Sequence, residues 1–242
     1  MDHLSDDSEG MAAPLTTVVI PVKNEDPKTL AALRYDLHRY GYPVCVVDDG
    51  STVPVVGAQI RFPPPGQGYG AALKAGILKA TTDWICTMDG DGQHTAYDVK
   101  RMEDFLCYLP QNSMVIGDRR LKETGVRLWG RKVLNWTASC FAGRWIADLN
   151  SGLRLFHRSM AIRYFPILCN GFSFTTSLTL ACLADGYSVD WLPIKVTPRT
   201  NGVSHVRLWK DGWITLRTIV WIGMALRTRK IRAVVRHALG RP

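Results

Sequence analysis

The sequence predicts an α/β protein: a doubly wound, mainly parallel sheet with helices on both faces, followed by a C-terminal amphipathic helical tail. Three observations carry this. Strand-like and helix-like segments alternate as β-α-β-α-β-α-β from residue 16 to residue 120. The strand segments are apolar throughout instead of alternating, as strands covered on both faces must be. A chain of 242 residues with 46% hydrophobic content is also large enough for one sizeable core and a tail.

Each element has a local reason. "TTVVIPV" (16–22) is a β-branched run and reads as a buried strand. "DPKTLAALRYDLHRYG" (26–41) opens with an N-capping Asp26 and Pro27 and closes on Gly41, so it reads as a helix. "YPVCVVDDGS" is a second strand that breaks into a turn, and "PPPGQG" (63–68) is a loop. "GYGAALKAGILKAT" (68–81) is a second helix, "DWICTMDGDG" a third strand, "AYDVKRMEDFLCYL" a third helix, and "SMVIGDRR" (113–120) a fourth strand. No internal repeat interrupts this order.

Charge divides the chain. The formal net charge is +9, and from residue 199 onward ten Lys/Arg face a single acid, Asp211. That segment accounts for the whole excess, so a neutral body carries a basic tail that would meet any acidic surface. The six cysteines stand singly, mostly within apolar runs, which predicts buried reduced thiols in a cytosolic protein. Residues 1–14 are acidic and polar, unlike a signal or transit peptide, and read as a disordered leader.

In an open α/β sheet, ligands bind beyond the carboxyl ends of the strands. Four strands here end in polar clusters: "PVKNE" (21–25), "DDGS" (48–51), "DGDGQH" (89–94) and "GDRR" (117–120). One such cluster could merely cap the next helix; four at one edge point to a site. It is neither a dinucleotide fingerprint nor a P-loop, because the first strand runs into "PVKNE" and no Gly-Lys-Ser/Thr follows a glycine loop. "GQGYG" (66–70) mimics a glycine fingerprint without a strand directly before it.

Asp89 and Asp91 are hard oxygen ligands on a tight turn. They suit Mg²⁺ or Mn²⁺, ions that keep several waters and take further ligands from phosphates. Gly90 and Gly92 let the backbone come close to a diphosphate. An EF-hand is excluded, because no glutamate stands at the twelfth loop position. Zinc is disfavoured, since His94 lacks partners at ligand spacing and reads as a loop side chain.

"VVIPVKNE", "VVDDGS", "GYGAALKAGI", "MDGDGQH", "GDRR", "DLNSGLRLF" and "GFSFTTSLTLACLADGY" occur in the order seen in family-2 glycosyltransferases of the GT-A fold. Over residues 16–210 the chain resembles the dolichyl-phosphate mannose synthase and polyprenyl-phosphate glycosyltransferase branch. That resemblance implies a transferase domain over 15–206 and a basic membrane-associating tail over 207–242. It implies that Pro21, Val22, Asn24, Glu25, Asp48, Asp49, Asp89 and Gly90 bind the donor nucleotide. Asp91 and Gln93, with Asp89, would hold the metal. Arg119 would face the phosphates, and Arg131 would take the acceptor phosphate. Ser151, Gly152, Arg154, Arg199, Gly202, Ser204 and His205 would line the acceptor side. His205 stands where the family usually has lysine, so any phosphate contact from it would depend on pH.

The chemistry is coherent in its own terms. A phosphate monoester is mostly dianionic at neutral pH, with a second pKa of about 6, and needs no strong base to attack. Charge neutralisation by arginines and a Lewis-acid metal at the leaving diphosphate suffice, and one displacement inverts the anomeric centre. The apolar run Ile214–Leu226 reaches only about 20 Å as a helix, against a bilayer core of about 30 Å. With Trp209, Trp213 and Trp221 it reads as an interfacial helix, placing the protein peripherally on the cytoplasmic face of a membrane. Two other readings stand beside it: a glycosyltransferase with a soluble glycan, protein or nucleic-acid acceptor, and a non-catalytic basic module on nucleic acid.

Overall fold

The computed structural model describes residues 16–110, 112–119, 125–196 and 212–224, with residues 125–128 and 131 described by backbone alone. Seven strands form one sheet: β1 (Thr16–Val22), β2 (Val44–Asp48), β3 (Ile60–Arg61), β4 (Trp84–Thr87), β5 (Ser113–Asp118), β6 (Arg154–His157) and β7 (Ser188–Pro193). Their order is β3-β2-β1-β4-β6-β5-β7. The helices are α1 (Pro27–Arg39), α2 (Tyr69–Lys79), α3 (Ala96–Leu106), α4 (Gly125–Ala142), α5 (Arg158–Tyr164), α6 (Phe174–Ala184) and α7 (212–224).

The four strands and three helices read from the sequence lie where expected. Asp26 caps α1 by accepting from the Thr29 amide at 2.9 Å and its hydroxyl at 2.7 Å. Thr95 and Asp98 close a capping box on α3. Strand residues alternate between two cores. Val19, Cys45 and Val47 pack under α2, α5 and α6, while Val18, Ile20 and Val46 pack under α1 and α3. Each strand therefore reads as uniformly apolar, because both of its faces are covered.

The sheet departs from the sequence reading at one place that matters. β6 enters between β4 and β5 and runs antiparallel to both. Four residues, Arg-Leu-Phe-His, are too short a run to announce a strand.

Two further features concern the tail and the thiols. Within residues 212–224, Ile219 and Ile222 join Ala138, Ile146, Leu149 and Leu180 in a third core cluster. Among the thiols, Cys45, Cys86 and Cys182 are buried, and Cys169 is half-buried. Cys107 and Cys140 are exposed, at the end of α3 and on the outer side of α4. The leader and the tail beyond residue 224 lie outside the described residues, as do Arg199, Gly202, Ser204 and His205.

Candidate active site

The carboxyl ends of β1, β2, β4 and β5 meet at one edge, and two of the expected donor residues there act as braces. Asp48 is fully buried; its carboxylate accepts from the Ser51 amide at 2.8 Å and the Val55 amide at 3.2 Å, with Arg61 at 3.5 Å. Burial alone would raise its pKa, but these hydrogen bonds and the Arg61 charge outweigh it and hold the carboxyl below its ordinary value. Asp49 grips the glycine loop, accepting from Gln67 at 2.6 Å and from Gly68 at 3.0 Å. A Cβ on Gly66 would stand 2.1 Å from the Asp49 carbonyl oxygen, so only glycine fits there. Asp48, expected at the nucleotide, has its carboxylate turned inward and occupied by these partners. "GQGYG", set aside as a weak fingerprint, is the loop that Asp49 holds.

On the first strand, Pro21 and Val22 are buried and Glu25 is half-buried. Asn24, in the left-handed region at φ 55°, ties this end to the neighbouring strand. Its amide donates to Ser51 Oγ at 2.9 Å, and its side-chain oxygen accepts from Thr52 at 2.8 Å.

The turn after β4 carries the chemistry-bearing carboxylates. Asp89 is half-buried and accepts from the Tyr69 hydroxyl at 2.9 Å. Burial, then the charge of Asp89 and its hydrogen bond, keep that phenol protonated well above its usual range. The Phe172 ring stacks on Tyr69 at 5.4 Å between centroids. On the other side, a Cβ at Gly152 would lie 2.4 Å from an Asp89 carboxylate oxygen, so position 152 must be glycine for the backbone to approach. Asp91 is almost fully buried and accepts from the Gln93 amide at 3.1 Å, and Gly90 packs against Val22. His94 lies in the loop before α3, as expected, but it is not solvent-facing. It is 2% exposed and its Nδ1 has no hydrogen-bond partner. Burial holds its pKa below the ordinary value, against the opposing pull of Asp89.

Beyond β5, Arg119 donates to Asp148 through Nε at 2.8 Å and Nη2 at 3.1 Å, a bidentate pair with Asp148 buried beneath it. Asp148 was not singled out in the sequence. The signal was its place at the head of "DLNSGLRLF", but nothing local joins it to an arginine 29 residues earlier. Arg154, expected at the acceptor phosphate, is fully buried. It donates to Ser151 O at 2.8 Å, Leu149 O at 2.6 Å and Thr179 Oγ1 at 2.5 Å. Burial pushes its pKa down to about 10. It has no free surface for a ligand in this conformation, and it acts by holding the 149–151 turn from behind. Ser151 is buried with its hydroxyl unpartnered. The side chain of Arg131, on α4, lies outside the described residues.

Among the described residues, no cluster of three or more His, Cys, Asp or Glu stands at ligand spacing. A divalent ion at this turn would have two carboxylates and the Gln93 amide oxygen, with water and diphosphate oxygens completing its shell. Mg²⁺ and Mn²⁺ accept that donor set.

A mostly parallel sheet with a paired-carboxylate turn at its carboxyl edge and an antiparallel strand behind it is the GT-A arrangement of a sugar-transferring enzyme. The solved structures most like it in shape include glucosyl-3-phosphoglycerate synthase of Mycobacterium tuberculosis bound to Mn²⁺, UDP-glucose and phosphoglyceric acid. The TM-score is 0.68 at 16% identity, over 88% of this chain and 80% of that one. A polyprenol monophosphomannose synthase of Mycolicibacterium smegmatis is 28% identical over 91% of both chains. A dolichyl-phosphate beta-glucosyltransferase of Dictyostelium discoideum is 27% identical over 63% of this chain and 57% of its own. The chain belongs to glycosyl transferase family 2, whose model matches residues 17–168.

Proposed function

We propose that the protein is a metal-dependent, inverting hexosyltransferase. It moves a sugar from a nucleoside-diphosphate donor, GDP-mannose or UDP-glucose, to a polyprenyl or dolichyl phosphate at a membrane surface. The observation that carries this reading is the Asp89 turn. Its carboxylate is fixed by Tyr69 on one side and faces the Gly152 backbone on the other, with the Arg119–Asp148 pair at the same edge.

In this reading Asp89, Asp91 and Gln93 hold the divalent ion, which when bound supplies Lewis acidity to the departing diphosphate. Pro21, Val22, Asn24, Glu25, Asp49 and Gly90 form the donor wall. Arg119 stabilises phosphate charge without reorganising, since Asp148 has already oriented it. Arg131, Arg199, Ser204 and His205 are assigned to the acceptor phosphate, whose oxygen attacks the anomeric carbon as the diphosphate leaves from the opposite face. The polyprenol and dolichyl relatives favour a lipid-linked acceptor. No described helix is long and apolar enough to cross a membrane, which fits a peripheral enzyme. The phosphoglyceric acid bound in the similar solved structures favours a second reading, with a soluble phosphorylated acceptor.

The deciding experiment supplies labelled GDP-mannose or UDP-glucose, a short-chain polyprenyl phosphate and Mn²⁺ or Mg²⁺, then extracts into organic solvent. Label in the organic phase, abolished by chelator, is the expected result and identifies the sugar. Metal-dependent nucleotide release with no organic label would transfer the reading to a soluble acceptor. Arg131→Ala should raise the acceptor KM while leaving nucleotide affinity near that of the parent; equal loss of both removes Arg131 from the acceptor site.

A further inference from the structure

Of the seven tryptophans among the described residues, five are more than half exposed, and none of the five lies on the sheet. They are Trp129 and Trp136 on α4, Trp145 just after it, and Trp213 and Trp221 on α7. On α4 the exposed residues Trp129, Val133, Trp136 and Cys140 recur at helical spacing and form one stripe. Its opposite side sends Leu134, Ala138 and Phe141 into the third core cluster. On α7 the exposed set is Trp213, Ile214, Arg217, Trp221 and Met224, while Ile219 and Ile222 enter that same cluster. The two helices touch where Gly223 meets the Phe141 ring. Both close over one cluster, so their outer stripes turn away from it together.

The indole surface alone comes to roughly 500–800 Å², more than the few hundred Å² of contiguous apolar surface usual on a soluble monomer. Charge identifies the occupant. Residues 125–147 and 212–224 contain no carboxylate, but they carry Arg127, Arg131, Lys132, Arg144 and Arg217. Exposed tryptophans on segments that hold cations and no carboxylate match the boundary between headgroups and acyl chains of an anionic bilayer. The face also lies beside the site. Asp89 binds Tyr69, Tyr69 stacks on Phe172, and the next residue, Ser173, meets Thr215 of α7 at 3.2 Å.

We infer that α4 and α7 together form a monotopic platform that lies in the interface of an anionic membrane, with the catalytic edge opening beside it. This rests on the reading that the enzyme works at a membrane surface, and it makes α4 the partner of the C-terminal region in binding.

The test uses the full chain and vesicles of phosphatidylcholine containing about one third phosphatidylglycerol. Trp129→Gln/Trp136→Gln, and separately Val133→Asp, change only exposed positions and leave 207–242 intact. Each is expected to lower vesicle partitioning by on the order of tenfold or more, since interfacial binding scales with buried apolar area. The parent's tryptophan fluorescence should be quenched by lipids with brominated acyl chains, and that of the double variant much less. Binding by both variants within about twofold of the parent overturns the inference. So does a parent that self-associates without vesicles through this face, if the double variant is monomeric and binds vesicles unchanged. Transfer to a short, water-dispersed prenyl phosphate is measured on the same proteins. No transfer by the parent would remove the acceptor reading and leave the platform standing, whereas transfer with unaltered vesicle binding in the variants would do the reverse.

Discussion

The two halves of the cleft are built by opposite strategies. On the donor half, carboxylates lie at the ends of parallel strands and take backbone amides and hydroxyls from neighbouring turns: Asp48 from Ser51 and Val55, Asp49 from Gln67 and Gly68. Beyond β4 the work falls to arginines, the half-buried Arg119 on Asp148 and the buried Arg154 on two carbonyls. The first half is fixed by contacts that each strand end makes with adjacent loops. The second depends on a reversed strand that brings a distant segment back. A negative turn is thus shaped locally, while the positive groups facing it are aimed from behind.

Asp91→Ala strikes the donor half hardest. It is expected to lower turnover by on the order of 10³-fold, the several kcal/mol a Lewis acid supplies at a leaving group. Nucleotide release measured against Mn²⁺ concentration checks this, with circular dichroism confirming the fold. Activity near the parent's would dissolve the contrast between halves.

Asp148→Ala leaves Arg119 without its orienting partner, and a loss of about 10²-fold in kcat/KM is expected from a misaimed charged group. A double-mutant cycle with Arg119→Ala sharpens the point. If the two positions act as one unit, the double variant loses little more than Arg119→Ala alone.

Tyr69→Phe removes one hydrogen bond to a carboxylate, so a roughly tenfold fall in kcat is expected with donor KM little changed. A change confined to the melting temperature would reduce Tyr69 to a packing residue.

The smallest effect concerns acidity. Because Asp48 has a folded pKa below its ordinary 3.8, its contribution is complete above that value and disappears as pH falls through the folded pKa. Asp48→Asn should cost about 1–2 kcal/mol at neutral pH, with the gap to the parent closing below the ordinary carboxylate range. Urea denaturation across pH measures it.

Legibility followed the same divide. β1, β2, β4 and their turns could be read because each signal is contiguous: an apolar run, then Asp-Asp-Gly-Ser or Asp-Gly-Asp-Gly. The Arg119–Asp148 pair and the approach of Gly152 to Asp89 join residues far apart in the chain, so no window of sequence contains them. Arg154 was expected on the acceptor side through the family resemblance, yet it is fully buried, which arginine seldom is. Only the turn it braces explains why this one is. Tyr69 was hidden inside a glycine pattern that drew attention to its neighbours, and nothing in the sequence around His94 signals the burial that the structure shows.

The reversed direction of β6 has a consequence for how such an enzyme diversifies. Asp118, where β5 stops, and Arg154, where β6 begins, stand at the same edge of the sheet. Between them the α4 segment leaves that edge, and the chain is back at it by Asp148, which pairs with Arg119, and Gly152, which faces Asp89. Such a segment can be lengthened, shortened or exchanged without shifting the register of a single strand pair. A donor frame of this kind can therefore be refitted by replacing one continuous stretch of gene.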